Sequence, residues 1–459
     1  MIIRHIASFR SLRGILMTFL CGMMLTGCSL YQKYDATPEV ADNIMGDIVQ
    51  PVDSVSLGAI GWREIFTDPL LQKLIETALA NNTDVKMAEL TIEQAQNDLA
   101  SVRLGNLPTL SFEPTGGMKR FNSASTYYYN IPLRATWQPG IFGQNTSKKR
   151  QAEAQRALYV DYKKGVMTDL SANVAITYYS LVMLDRELEI LLQTEKVWEE
   201  SLESMRTLYE AGLYQSPAVY RMEASLASVR SGIAEKREDI LSTESALCLL
   251  LSESPHHIER APFGAFKMPE ALHVGVPLQL LSSRSDVRRA TRNMEIAFYA
   301  TQQARQAFFP DITIKGDIGW SNDNGLVNPG QFLAEAVGSL LQPLFAQGKI
   351  RARHKNALLD QEKARLQFVQ TLLNAGNEVY RYLHECRKSE QKAVYISTCV
   401  SALTESYEAT RELMNNGTNT YLEVLTAQED LLTSQLTEVQ NRYDGIQSLI
   451  NLYTALGGF

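Results

Sequence analysis

Residues 81–112 read NNTDVKMAELTIEQAQNDLASVRLGNLPTLSF, and residues 283–314 read SRSDVRRATRNMEIAFYATQQARQAFFPDITI. Set 202 residues apart without a gap, Asp84 meets Asp286, Val85 meets Val287 and Ala88 meets Ala290. Glu93, Ala95, Arg103 and Pro108 likewise meet Glu295, Ala297, Arg305 and Pro310. Further along, Arg206, Leu208 and Gly212 match Arg411, Leu413 and Gly417 at an offset of 205. Solenoid repeats are only roughly 20–50 residues long. A unit this long reads instead as half of the chain used twice.

Each half carries the same order of patterns: a helix, two strands, a very long helix and a shorter one. The first helix is expected from about Pro69 to Leu104 and its copy from about Leu278 to Phe308. Pro108 and Pro310 end them, because proline cannot continue the helical hydrogen-bond ladder. The hydrophobic period then falls from 3.6 to 2. Leu110, Phe112 and Met118 alternate with Thr109, Ser111, Glu113 and Thr115 over 109–118. Over 126–138, Tyr127, Tyr129, Ile131, Leu133, Ala135 and Trp137 alternate with Thr126, Asn130, Arg134, Thr136 and Gln138. In the copy, Ile312, Ile314, Ile318 and Trp320 alternate with Asp311, Thr313, Lys315, Asp317 and Ser321, while Gln331–Leu341 alternates weakly. Segments of about ten alternating residues suit membrane-spanning strands as well as a half-buried soluble sheet. Interfacial-type aromatics on them, Tyr127 to Tyr129, Trp137 and Trp320, favour the membrane.

From Gln144 to Ala211 stands one glycine, Gly165, and no proline, so a helix there would extend about 100 Å. Its seam keeps a 3–4 spacing through Val174, Thr177, Leu181, Leu184, Leu188, Leu191, Glu195, Trp198, Leu202 and Met205. Lys349 to Asn415 repeats this through Leu372, Ala375, Val379, Tyr382, Cys386, Ser389, Ala393, Ile396, Val400, Leu403 and Tyr407. Returning partners from Val219 to Ile240 and from Leu422 to Ile450 keep heptads too, the spacing of helices packed as coiled coils. The turns YEAGLYQSP and LMNNGTNTY each carry a glycine suited to a helix C-terminus.

Four strands cannot close in a membrane, where each unsatisfied backbone group costs several kcal/mol. Closure requires shared barrels. Two chains would give eight strands with little lumen, and three would give twelve with a channel.

At the N-terminus, Arg4, Arg10 and Arg13 precede an apolar run from Ile15 to Leu25. That run is shorter than the roughly 20 residues of a membrane-spanning helix and suits a signal-peptide core. Thr26-Gly27 before Cys28 resembles the bacterial lipobox, in which cleavage leaves an acylated cysteine; Ser29 after it implies sorting to the outer membrane. Loss of three arginines takes the formal charge from −7 to −10, unsuited to nucleic acid. Cys386 and Cys399 lie too far apart on one helix for a disulfide, and with Cys248 they read as small core residues.

No enzyme chemistry is visible and no cofactor is expected. Gly348-Lys349 lacks the rest of a P-loop, HExxH and GxSxG motifs are missing, and His256-His257 reads as surface loop rather than a metal site. The chain is thus expected to comprise a lipoprotein signal peptide (1–27), an extended segment (28–61), a first structural repeat (62–252), a Pro-rich connector (253–277) and a second repeat (278–459). Strands are expected at about 109–138 and 311–342, and long helices at about 144–211 and 349–415.

WREIFTDPLLQKLIETALANNTDVKMA (62–88), VGVPLQLLSSRSDV (274–287, Ser285 replacing the usual proline), WQPGIFGQ and LQPLFAQGKIRAR resemble, in order, the signatures of the outer membrane factor family. The resemblance is to its TolC-like lipoprotein branch associated with RND pumps. It implies a mixed fold, mainly α with transmembrane β: a homotrimeric twelve-stranded barrel continued by a long α-helical periplasmic barrel. It also implies an exit duct for small molecules, passive, docked to a periplasmic adaptor and an inner-membrane pump. Alternatives are a non-porous coiled-coil scaffold lipoprotein and a duct for type I protein secretion. The resemblance places the periplasmic tip, gate and adaptor contact at Gly212, Leu213, Gly417, Tyr421 and Glu423. The family's second tip carboxylate is Thr426 here, so a double acidic ring is not expected.

Overall fold

A computed structural model describes residues 31–35, 60–121, 124–264, 283–322, 330–416 and 420–458. A short helix, α1 (Trp62–Ile65), leads to α2 (Pro69–Asn81) and α3 (Thr83–Leu104). Three strands follow, β1 (Thr109–Phe112), β2 (Thr115–Phe121) and β3 (Ala124–Trp137), then α4 (Gln144–Glu210) and α5 (Ser216–Leu251). Next come α6 (Ser285–Gln306), β4 (Asp311–Asn322), β5 (Gln331–Leu341), α7 (Lys349–Asn415) and α8 (Tyr421–Ala455).

The single helix expected over 69–104 is two. Asn82 leaves the helical region at φ −57°, ψ 133°. Its Oδ1 accepts from the Asp84 N–H at 2.9 Å, capping α3, and its Nδ2 donates to the Leu250 carbonyl at 3.0 Å. The apolar period continues across this break, which hides it in the sequence. The first strand is likewise two, because Pro114 has no N–H to give the ladder. Register is kept across it: Phe112 faces Leu133 and Thr115 faces Asn130. A third correction concerns Cys399, which is exposed rather than core; Cys248 and Cys386 are buried.

The chain divides into two compact units. One holds residues 92–159 and 290–368 with the N-terminal segment; the other holds 40–91, 160–289 and 369–459. In the first unit Tyr31 stacks on Tyr299 and Tyr34 tilts against Phe298, so residues 31–35 are seated on α6. Phe142, after β3, stacks on Phe309 before β4 at 5.5 Å.

In the second unit the heptad seams are the core. Trp198, Leu202 and Met205 of α4 interlock with Val219, Met222 and Leu226 of α5, and Tyr421 and Leu425 of α8 join them. Asp68 caps α2 through the Leu70 N–H and accepts the Tyr178 hydroxyl, which in turn accepts the Ala261 N–H. One carboxylate therefore ties a helix start, a long helix and the connector together. The described part of the connector is held further by Arg260, bound to Asp185 and Glu244. Arg284 binds Asp286, Glu378 and the Ala455 carbonyl, joining the start of α6 to α7 and the end of α8. Ser389 and Asn441 exchange hydrogen bonds at 2.9 and 3.0 Å inside the α7–α8 seam.

Candidate functional site

In the first unit the candidate surface is the sheet, ordered β1-β3-β4-β5 with β2 also on β3, all antiparallel. Facing residues of neighbouring strands share a face, so register sorts the side chains. Leu110, Ala135, Phe112, Leu133 and Ile318 fall on one face, with Ile131, Trp320 and Phe332 on the next rung. That face is not covered by its own chain: Leu110 is 69%, Ile318 56% and Phe332 63% exposed. From Trp137 to Tyr127 this apolar band follows β3 for about 33 Å, or about 25 Å perpendicular to a plane crossed at ~40°.

The opposite face is polar. Ser111, Arg134, Asp317 and Glu335 form one row across the sheet. The Arg134 guanidinium forks onto Asp317 at 2.9 and 3.1 Å and reaches Glu113 at 2.9 Å. Thr109, Thr136 and Lys315 make the next row. A sheet apolar on one face, polar on the other and bare on both can separate an apolar medium from water.

In the second unit the candidate site is the pair of helix turns. Gly212 has φ +75°, and the Leu213 N–H bonds the Leu208 carbonyl while the Gly212 N–H bonds that of Tyr209. This double closure needs a left-handed residue just past the helix, after Ala211, hence glycine. Leu213 beyond it is 70% exposed. Across the second turn, Glu423 lies exposed in the first turn of α8, where the helix dipole favours a carboxylate. Tyr421 is instead buried among Trp198, Met205 and Met222. Burial pushes its phenol up to about 12. Its hydroxyl and the Trp198 Nε1 have no hydrogen-bond partner among the described residues. The site residues expected from sequence thus separate: Tyr421 joins the hydrophobic cluster, while Leu213 and Glu423 face outward. Cys28 and Gly417 lie outside the described residues. Sequence reasoning passed over Trp198 and Met222 as site residues; their heptad positions were legible, their proximity to Tyr421 was not.

Among the described residues no three His, Cys, Asp or Glu side chains are grouped to hold a metal ion. His257 instead pairs with Glu244 at 2.8 Å. None of the described helices is long and apolar enough to cross a membrane.

The family model described as "Outer membrane efflux protein" matches residues 74–253 and 276–458. The "Cation efflux system protein CusC" of Escherichia coli K12 is 26% identical over 96% of this chain and 99% of its own. The "Probable outer membrane lipoprotein SilC" of Salmonella typhimurium is 27% identical over 87% of this chain and 88% of its own. Among solved structures, the open state of the Neisseria gonorrhoeae MtrE outer membrane channel superposes with a TM-score of 0.84 at 24% identity, covering 94% of this chain and 98% of that one.

Proposed function

Because this chain belongs to the outer membrane efflux protein family, we propose that it is the outer-membrane exit duct of a tripartite efflux system. Three copies close a twelve-stranded barrel, and their long helices continue it as a periplasmic tunnel. The observation that carries this reading is the sheet: one apolar face left bare over a band about 25 Å deep, near the height expected of an outer-membrane barrel. Its two unpaired edges require further strands, since open edges are not tolerated in lipid. Polar rows such as that of Arg134, Asp317 and Glu335 then line water.

The duct is passive; a periplasmic adaptor and an inner-membrane RND-type pump supply selection and energy. It carries small molecules, drugs and other toxic compounds among them. Gly212, Leu213, Gly417, Tyr421 and Glu423 form the periplasmic tip that closes the duct and docks the adaptor. CusC is named for cation efflux and SilC as a lipoprotein, and acylation of Cys28 fits the second. Tyr31, three residues later in the chain, is stacked on Tyr299 of α6. A barrel anchors far more firmly than acyl chains. Cys28→Ser behind a replacement signal peptide is therefore expected to leave some outer-membrane trimer, which fractionation checks.

The test of the duct is electrical. Purified protein should run as a heat-sensitive trimer in detergent and conduct ions across planar bilayers. A monomer without conductance would refute the reading.

A further inference from the structure

Among the described residues the sheet has two edges with one partner each: β1 and β2 pair only with β3, and β5 only with β4. Their charges are opposite. Glu335 is the single charged residue of β5. Lys119 is the single charged residue of β1 and β2 on the polar face, since it faces Thr126 while Arg120 faces Ser125 on the other side. Neither has an ion-pair partner among the described residues. The Lys119 ammonium rests 4.7 Å from the Tyr128 ring centroid. Glu335 stands directly opposite Asp317, a like charge that destabilises a cross-strand pair. The guanidinium in that row, Arg134, is already committed to Asp317 and Glu113.

The repeat says where these two charges would meet. In the first hairpin Thr115 faces Asn130; in the second, Asp317, which lies 202 residues after Thr115, faces Glu335. Glu335 therefore holds in the second hairpin the place that Asn130 holds in the first. Within the chain Asn130 crosses from the first half to the second at Ser321, which lies 202 residues after Lys119. The equivalent crossing, from the second half of one copy to the first half of another, is Glu335 to Lys119.

We infer that Glu335 of one copy and Lys119 of the next stand opposite each other across the seam between copies, as the ion pair that sets its register. The inference rests on the barrel reading above and adds the pairing of its seam. Alternation of faces excludes odd slips of one strand along another but not slips of two or four residues. Glu113, between β1 and β2, is already held by Arg134, so the one opposite-charge pair left to the edge strands distinguishes among those. On a water-lining face such a pair contributes little stability, so its effect is on alignment.

Disulfide trapping tests this, since directly opposite residues have Cα atoms about 4.5–5.5 Å apart, within disulfide reach. The exposed Cys399 is first replaced by serine. In that background Lys119→Cys with Glu335→Cys, oxidised in outer membranes, should give dimer and trimer bands that collapse to monomer on reduction. Thr115→Cys with Glu335→Cys, four residues out of register, should give at least tenfold less. Lys119→Glu should lower the heat resistance of the trimer, and adding Glu335→Lys should restore it. Cross-linking at Thr115 in preference to Lys119, or none at either in protein that is trimeric by mass, would overturn the seam and leave the duct standing. Wild-type protein that is monomeric in detergent would overturn both.

Discussion

Arg260 is 8% exposed in its side chain, and its guanidinium meets Asp185 at 2.5 and 2.8 Å and Glu244 at 2.5 Å. Removing it strands Glu244, itself 8% exposed, without its main counter-charge. Breaking a buried pair from one side costs about 3–5 kcal/mol, so Arg260→Leu should lower the midpoint of thermal unfolding followed by circular dichroism in detergent. The same contact has a pH signature. Burial draws the Glu244 carboxyl upward, but the Arg260 hydrogen bond, the Ile258 N–H and the neighbouring charges hold it below the ordinary value of 4.5. A depressed carboxyl contributes stability that is present above its unfolded pKa and lost as pH falls through the folded one. Thermal stability should therefore fall as the pH drops below about 4.5, and Glu244→Gln should flatten that fall; parallel curves for the two proteins would refute the assignment. Tyr421 tests the packing at the helix turns in the same way. Tyr421→Phe removes a buried hydroxyl that has no partner among the described residues and should be neutral or stabilising, whereas Tyr421→Ala empties the cluster at a cost of about 3–5 kcal/mol. A Phe variant as unstable as the Ala variant would mean that the hydroxyl is bonded.

At the level of elements, Gly165 explains why the α4 sequence admits one glycine. A Cβ built there would lie 2.8 Å from the Ser285 Oγ and 3.3 Å from its Cβ, so α4 and the start of α6 touch through it. Gly165→Val should cost about 1–3 kcal/mol by overpacking. Ser285→Gly, which removes both atoms, should recover part of that loss in a double-mutant cycle; strictly additive effects would show that the contact is not the cause. Serine at 285, where the family resemblance leads one to expect proline, is thus a residue in contact with the long helix of the other half. Much of this level was legible in advance. Proline at 108 and 310 and the change of period from 3.6 to 2 placed the strands, and the heptads placed the helical hairpins. What was not legible depends on partners remote in sequence. Asn82 breaks a helix because its amide reaches Leu250, 168 residues away, and Arg284 is buried because Glu378, 94 residues away, meets it. Periodicity reports which way a side chain faces along its own element; it carries no information about which distant group satisfies it. The second helix turn shows the same limit, since a pattern that marks Tyr421 as a helix-start residue cannot say that it shares a cluster with Trp198.

For the molecule as a whole, the duct reading turns on which face of the sheet meets lipid, and register makes that a matter of single-residue steps. Leu133 and Arg134 are chain neighbours on opposite faces: Leu133 lies between Phe112 and Ile318, and Arg134 between Ser111 and Asp317. A basic residue on a lipid-facing strand position costs about 2–4 kcal/mol at the bilayer midplane, whereas one lining water is tolerated. Leu133→Arg and Ile318→Arg should therefore each deplete heat-sensitive trimer from outer membranes. Ser111→Arg, on the same rung as Arg134 and in reach of the row's carboxylates, should leave trimer yield near wild type. In the proposed trimer Leu133→Arg would place three charges in the lipid-facing band, so the penalty would be felt three times in one assembly. Ser111→Arg adds three positive charges to the lumen instead and should shift the reversal potential of the channel toward anions under a salt gradient. The opposite pattern, with Ser111→Arg lost from the membrane and Leu133→Arg assembled and conducting, would invert the sheet and refute the barrel. Equal tolerance of both would mean that neither face meets lipid, and the bare apolar band would then have to be covered by protein.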